Sequence, residues 1–391
     1  MIARFANFLL PSIRDFLRIK NKVDGDDIHI KAALSWLALA QDTNRDGGVS
    51  AYYSLGRGWA PSFIETTGYI IPTFLDAYRL YGESDYKRRA VRMADFILRM
   101  QLSDGSFRSK VPPSKDGEIP NIFDTAQDVI GLISAYNFTS ETKYLSSARA
   151  ACDFLISRQR PDGSFLENNF GRRPYSYHSR VALSLVLCWK LCGEKKFLDS
   201  ALGNLEWVLS QQNNRGWFRN NNLFGFGDET AFTHTISYAM EGLFYSGLEL
   251  EENKYIERAV LTADSLLSAY RKYGFLPATF DKNFKSSDNY TCLTGDAQIS
   301  VVWLRLFLLT RDNKYLAAAK EINNFLKSVQ FVEMVPKGIL GGVAGSYPIY
   351  GDILRNKGYC RMAYLNWATK FFVDSLILEK EVQINKKLYE T

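Results

Sequence analysis

The sequence predicts an all-α protein folded as an (α/α)6 toroid, and three observations carry that prediction. Apolar residues recur at spacings of three and four along nearly the whole chain, and almost nothing alternates with period two. One stretch is written three times: MADFILRMQLSDGSF at 93–107, CDFLISRQRPDGSF at 152–165 and, degraded, LEWVLSQQNNRGWF at 205–218. This sets Gln101, Gln159 and Gln212 at steps of 58 and 53 residues. The connections between helical segments also alternate in kind, which a stack of helical hairpins requires.

The periodicity places helices at 28–41, 62–82, 84–101, 122–137, 141–159, 176–193, 195–212, 232–247, 252–270, 291–309, 313–330 and 357–378. Every second connection is short and similarly written: YGESDYKRRA, FTSETKYLSSA, CGEKKFLDSA, EENKYIERA and TRDNKYLAAA. The others, near 102–121, 160–175, 213–231, 271–290 and 331–356, are long and rich in Gly, Pro, Asn and aromatics. Because the kinds alternate, the long loops collect at one end of a ring, and long loops on a rigid scaffold are where function is normally found. Gln330, 118 residues beyond Gln212, and Gln41, 60 before Gln101, extend the period. Six hairpins from about residue 28 to 378 then form one toroid (28–380), with an N-terminal extension (1–27) and a C-terminal tail (381–391).

Composition narrows the class. Hydrophobic residues make up 46% and aromatics 14% of the chain, enough for a large core with rings to spare for packing or stacking. The net charge of +6 is spread over the repeats, with no basic stripe for nucleic acid. The five cysteines are odd in number, lie in apolar helical runs and form no CxxC pair, which argues against disulfides and zinc and for a reducing, cytoplasmic compartment. In MIARFANFLLPSIRDFLRIK the apolar run is broken by Pro11, Arg14 and Asp15, so it is neither a signal peptide nor a membrane span. An amphipathic helix packed on the toroid is the preferred reading over one that touches a membrane surface.

Candidate chemistry sits at the starts of the inner helices, those entered from long loops, whose free N–H groups and positive dipole ends point to the mouth. Those starts carry Glu65 and Tyr69; Asp124 and Gln127; Tyr177, His178 and Arg180; His234; Asp296 and Gln298; and Tyr359 with Arg361. Asp124 and Asp296 are the expected acid and base, with His178 and His234 as proton carriers or hydroxyl binders. Arg180 is the expected clamp for a substrate carboxylate, Tyr69, Tyr177 and Trp59 the stacking platforms, and Glu65, Gln127 and Gln298 further substrate ligands. Each has a plainer role: Asp124, Thr233 and Thr294 as helix caps, the histidines as satisfied core residues, and the shared Ala-Gln of Asp124–Gln127 and Gly295–Gln298 as repeat homology. For the Asp-Gly-Ser-Phe turns the packing role is preferred. Gly341–Asp352 and Gly56–Phe63, which holds Trp59, read as rims of the mouth. No metal or cofactor is expected.

Two resemblances follow from these segments. RAVRMADFILRMQLSDGSF and ARAACDFLISRQRPDGSF resemble the QW repeat of squalene and terpene cyclases, in which Gln and a ring fasten outer helices. Val23–Asp27 spells the cyclases' acidic DxDD, but ahead of the first helix, where it reads as a chance match. ETTGYIIPTFLDAYRLYG, THTISYAMEGL, CLTGDAQISVVWLRL and YLNWATKFFVDSL are similar to an (α/α)6-toroid family that accompanies surface-polysaccharide genes. Its fold relatives include unsaturated glucuronyl hydrolases, N-acylglucosamine 2-epimerases and uronate epimerases or lyases. The resemblance implies a sugar-binding mouth and leaves the reaction open. The expectation is a carbohydrate-active enzyme of hydrolase, lyase or epimerase type, acting without a metal on an acidic oligosaccharide or polysaccharide, with no nucleic-acid partner and no membrane insertion. A terpenoid-cyclase-like toroid and a non-catalytic glycan-binding protein stay open as alternatives.

Overall fold

The computed structural model describes residues 10–108, 120–223, 229–333 and 335–389. Twelve ring helices lie among them: α1 (Asp26–Asn44), α2 (Ile64–Tyr81), α3 (Ser84–Met100), α4 (Ile122–Thr139), α5 (Thr142–Ser157), α6 (Ser179–Cys192), α7 (Lys195–Gln211), α8 (Thr233–Leu250), α9 (Asn253–Tyr273), α10 (Leu293–Thr310), α11 (Asn313–Val329) and α12 (Asn366–Tyr389). The even-numbered helices form the inner ring, each packing on the next and α12 returning to α2. Each of α2, α4, α6, α8 and α10 is paired with the outer helix that follows it, and α12 is paired with α1, so the first and last helices make the sixth hairpin and close the ring. This is an (α/α)6 toroid. Its inner helices are buried nearly all round, as for α8, while outer helices such as α3 bury one stripe.

The outer helices are fastened by a repeated glutamine lock. At the end of α3, Gln101 Nε2 donates to Gly105 O and to Ser147 O of α5. Gln159 does the same to Gly163 O and Ser200 O, Gln212 to Gly216 O and Arg258 O, Gln330 to Gly341 O and His29 O, and Gln41 to Gly47 O and Arg89 O. One side-chain nitrogen thus ties its own turn to the next outer helix. Phe107, Phe165 and Phe218, bridged to these glutamines, are fully buried. The turn glycines at 105, 163 and 216 have φ of 85–88°, which a residue with a side chain adopts only with strain.

Two features differ from the sequence expectation. The last inner helix starts at Asn366 and not near 357, because 343–365 hold strands β6 (Val343–Ala344), β7 (Ser346–Tyr347) and β8 (Ala363–Leu365). Tyr359 and Arg361 therefore sit in a loop. With β1 (Tyr52–Ser54) and β2 (Gly58–Trp59), β6 and β8 form a four-stranded sheet in the order β2-β1-β8-β6; β3 (Thr230–Phe232) pairs with β4 (Thr279–Asp281), and β5 (Thr291–Cys292) with β7. Second, α12 runs to Tyr389, past position 380, since no Pro or Gly interrupts it. In line with the helix expected to pack on the toroid, residues 10–16 are helical, and this segment is held to the toroid by Ile349 N donating to Asp15 Oδ2 (2.6 Å) and by Asn21 Nδ2 donating to Gln330 O (2.7 Å). No helix among the described residues is long and apolar enough to cross a membrane.

Candidate active site

A cavity of about 210 Å³ opens at the inner-helix starts, lined by Glu65, Asp124, His234, Tyr69, Tyr177 and Tyr238, with Phe123, Tyr359 and Trp367 adding further rings. Asp124 does not cap its helix. Asn121 does, its side chain accepting from Phe123 N and Asp124 N, which leaves both Asp124 carboxyl oxygens without a partner. One turn further along α4, Asp128 is buried with both oxygens equally unpartnered, and Gly68 makes room for it: a methyl group there would run into Asp128 Oδ1.

Three acids therefore share one buried neighbourhood. Burial, then the negative charge of Glu65, drives Asp124 and Asp128 far above the usual carboxylate range. Burial likewise pushes Glu65 up to about 8, with Arg180 drawing it partly back. Like charges in a poorly hydrated place cannot all ionise, so near neutral pH this cluster holds protons.

His234 is set by a chain of bonds across four inner helices. Its Nδ1 lies 2.6 Å from Gln298 Oε1, Gln298 Nε2 donates to Glu241 Oε1 (3.2 Å), Arg180 Nη1 donates to Glu241 Oε2 (2.6 Å), and Arg180 Nε donates to Gln127 Oε1 (2.8 Å). The Glu241 carboxylate accepts only, so it orients the Gln298 amide with its NH2 toward Glu241 and its oxygen toward His234. That oxygen needs a hydrogen on Nδ1, which leaves Nε2 with a free lone pair. Burial, with the cationic Arg180 adding to it, lowers the imidazole pKa to about 4, and the ring is neutral at pH 7. Tyr238, with its ring centroid 4.4 Å from His234, and Tyr359, at 5.4 Å, flank it; Trp367 Nε1 donates to Tyr359 Oη (3.1 Å).

The structure gathers Glu65, Tyr69, Asp124, Tyr177 and His234 around this cavity, with Gln127, Arg180 and Gln298 in the layer behind it. Three expected residues lie elsewhere. His178 is fully buried against Phe165, Tyr175 and Tyr177, with neither ring nitrogen partnered, and burial lowers its pKa to about 3. Trp59 packs on Trp36 and Tyr53 in the β2–β1 corner, with centroids 5.1 and 5.2 Å away. Asp296 lines a different cavity, where Thr291 Oγ1 lies 2.8 and 2.7 Å from its two oxygens. Arg180 is not a free clamp, because its guanidinium is taken by Glu241 and Gln127 and lies over the Tyr238 ring. Sequence reasoning missed Tyr238 and Glu241, although their positions four and seven residues after His234 put all three on one helix face.

No family model matches the chain, and no curated protein does. Solved structures do. A heparin-specific unsaturated glucuronyl hydrolase is 18% identical, with 92% of this chain and 99% of that one covered at a TM-score of 0.72. Cellobiose 2-epimerase from Bacillus thermoamylovorans B4167 is 13% identical (88% and 96% covered, TM-score 0.68), and a D-mannose isomerase 14% (91% and 97%, TM-score 0.67). Glucuronyl hydrolases and sugar 2-epimerases are kinds of fold relative that the sequence resemblance names, and the likeness establishes the (α/α)6 toroid over nearly the whole chain.

Proposed function

We propose that the chain is a carbohydrate-active enzyme that moves protons by general acid/base chemistry on a sugar ring held in the central cavity. The observation that carries this reading is the convergence, in one aromatic-lined cavity, of His234, whose Nδ1 is engaged by Gln298, with Glu65 and with the unpartnered carboxyl of Asp124. His234 Nε2 is the proton acceptor, and Asp124, with Glu65 beside it, is the proton donor to a sugar oxygen. Tyr69, Tyr177, Tyr238 and Trp367 provide faces on which the ring stacks. Among the described residues no Lys or Arg lines the cavity, which favours a neutral sugar there over the acidic substrate expected when Arg180 is taken as a clamp. The enzyme types named for the similar structures, hydrolase, epimerase and isomerase, support a sugar substrate. The five free cysteines favour a reducing compartment for this activity.

Removal of a proton from a sugar carbon by His234 and its return to the other face of that carbon is epimerisation, and its delivery to the neighbouring carbon is isomerisation. Proton donation from Asp124 to a glycosidic oxygen, with water adding to the anomeric carbon as that bond breaks and giving its proton to His234 Nε2, is hydrolysis, and the unpartnered Asp124 carboxyl beside Glu65 favours that second reading. Incubating the protein in D2O with a panel of neutral mono- and oligosaccharides, followed by NMR, separates them: deuterium on a ring carbon marks the first, new reducing ends mark the second. Asp124→Asn and His234→Gln should each lower turnover by about 10²–10⁴-fold without lowering the melting temperature. Full turnover in both variants, or none in the wild type on any sugar, would remove the proposal.

A further inference from the structure

The glutamine lock fails at one junction, and a cavity of about 490 Å³ lies there. In three turns a Gln stands four residues before the turn glycine; the same place before Gly274 is Tyr270, and α9 runs on to Tyr273 before it stops. A second fastening is lost at the same junction. Thr67, Thr125 and Thr369 each accept, through Oγ1, a hydrogen bond from the backbone N–H of Val49, Phe107 and Val343. Thr125 precedes Ala126-Gln127 as Asp296 precedes Ala297-Gln298, so Asp296 occupies the threonine position. Tyr270 and Asp296, the two replacements, both line that cavity, between α9, α10 and α11.

The lining has a consistent chemistry. Arg18 and Lys20, both exposed, stand at its entrance on the segment pinned through Asp15 and Asn21, and Lys20 Nζ rests 4.0 Å from the Phe325 ring centroid. Tyr290 and Tyr347 add ring faces beside Tyr270. Inside, Asp296 is 2% exposed, and among the described residues its carboxyl is hydrogen-bonded by the Thr291 hydroxyl alone, whose one hydrogen cannot serve both carboxyl oxygens. Burial pushes this carboxyl up to about 8, so it does not repel an anion and can both donate to and accept from hydroxyls.

We infer that this junction is a second ligand site, separate from the central cavity, for an anionic monosaccharide whose charge is met by Arg18 and Lys20 and whose hydroxyls are met by Asp296 and Thr291. The anion is a sugar carboxylate or a sugar phosphate. Titration calorimetry with glucuronate, glucose 6-phosphate and glucose tests it, and the tighter of the two anions identifies the source. Glucose should bind about ten- to a hundredfold more weakly than the better anion, the loss expected for one charge-assisted contact. Arg18→Ala/Lys20→Ala should abolish that preference. Tyr270→Gln/Asp296→Thr, which restores the repeat's own lock residues, should abolish binding while keeping or raising the melting temperature. Asp124→Asn and His234→Gln, which test the central cavity, should leave it unchanged. Absence of anion binding, equal binding of glucose, survival of the preference in the Arg18/Lys20 variant, or its loss in the Asp124 variant would overturn the inference. Should the lock-restoring variant fail to fold, the Arg18/Lys20 variant still decides.

Discussion

Gln298 Oε1 lies 2.6 Å from His234 Nδ1, and the same amide gives its NH2 to Glu241, so a buried carboxylate one residue removed sets which nitrogen of the imidazole carries the hydrogen. The tautomer is therefore a property of the ring of inner helices and not of the cavity's contents.

The Arg180–Glu241 pair should matter more for folding than for recognising a charged sugar. Both side chains are buried, and Arg180→Ala leaves Glu241 with its charge uncompensated, a loss of about 3–5 kcal/mol for a broken buried pair. Chemical denaturation of wild type and variant measures it; a loss below about 1 kcal/mol would mean that the pair is not the buried connection described.

Phe165 should be a stability residue. It is fully buried under the Gln159 lock, and Phe165→Ala should cost about 3–5 kcal/mol, with kcat per folded molecule retained. Gln159→Leu should also destabilise, since it loses three side-chain hydrogen bonds, two donated to Gly163 O and Ser200 O and one accepted from Ser200 Oγ, about 1.5–4.5 kcal/mol together. Unchanged unfolding midpoints in both variants would refute the packing role of the turns.

Stability should fall between pH 6.5 and 8. Glu65 and Asp296, raised from 4.5 and 3.8 to about 8, give stability that is fully present below their unfolded values and is lost as pH rises through about 8. His178 and His234, lowered from 6.5 to about 3 and about 4, give stability present above 6.5 and lost only as pH falls through the lower values. Above pH 6.5 the carboxyl effect is thus left unopposed. Thermal unfolding at pH 6.5 and 8 should show the fall in wild type and a flatter response in Glu65→Gln/Asp296→Asn; an equal fall in both would contradict the raised carboxyls.

The fold was legible because the Gln and Phe of three successive turns, Gln101 with Phe107, Gln159 with Phe165 and Gln212 with Phe218, do the same work, so packing wrote a period into the chain. The site was less so, for a geometric reason. Aligned on Ala126-Gln127 and Ala297-Gln298, Asp124 matches Gly295, and Asp296 matches Thr125. One residue along a helix turns a side chain by about 100°, enough to move a carboxyl from the central cavity to the gap between helices. Arg180 looked like a free clamp because Glu241, its partner, sits 61 residues away on α8. Trp59 and His178 looked like site residues by their place in the chain, while their neighbours Trp36, Tyr53, Phe165 and Tyr175 are what hold them.

The most direct test of the account is the ¹⁵N spectrum of the imidazoles, which is tractable because the chain has three histidines. His234 should show a protonated Nδ1 and an unprotonated Nε2 from pH 5.5 to 8, and a neutral sugar that binds or turns over should shift the Nε2 resonance, with both effects absent in His234→Gln. A hydrogen on Nε2, a titration midpoint near 6.5, or an Nε2 resonance indifferent to a sugar that the enzyme turns over would contradict His234 as the proton acceptor of the central cavity.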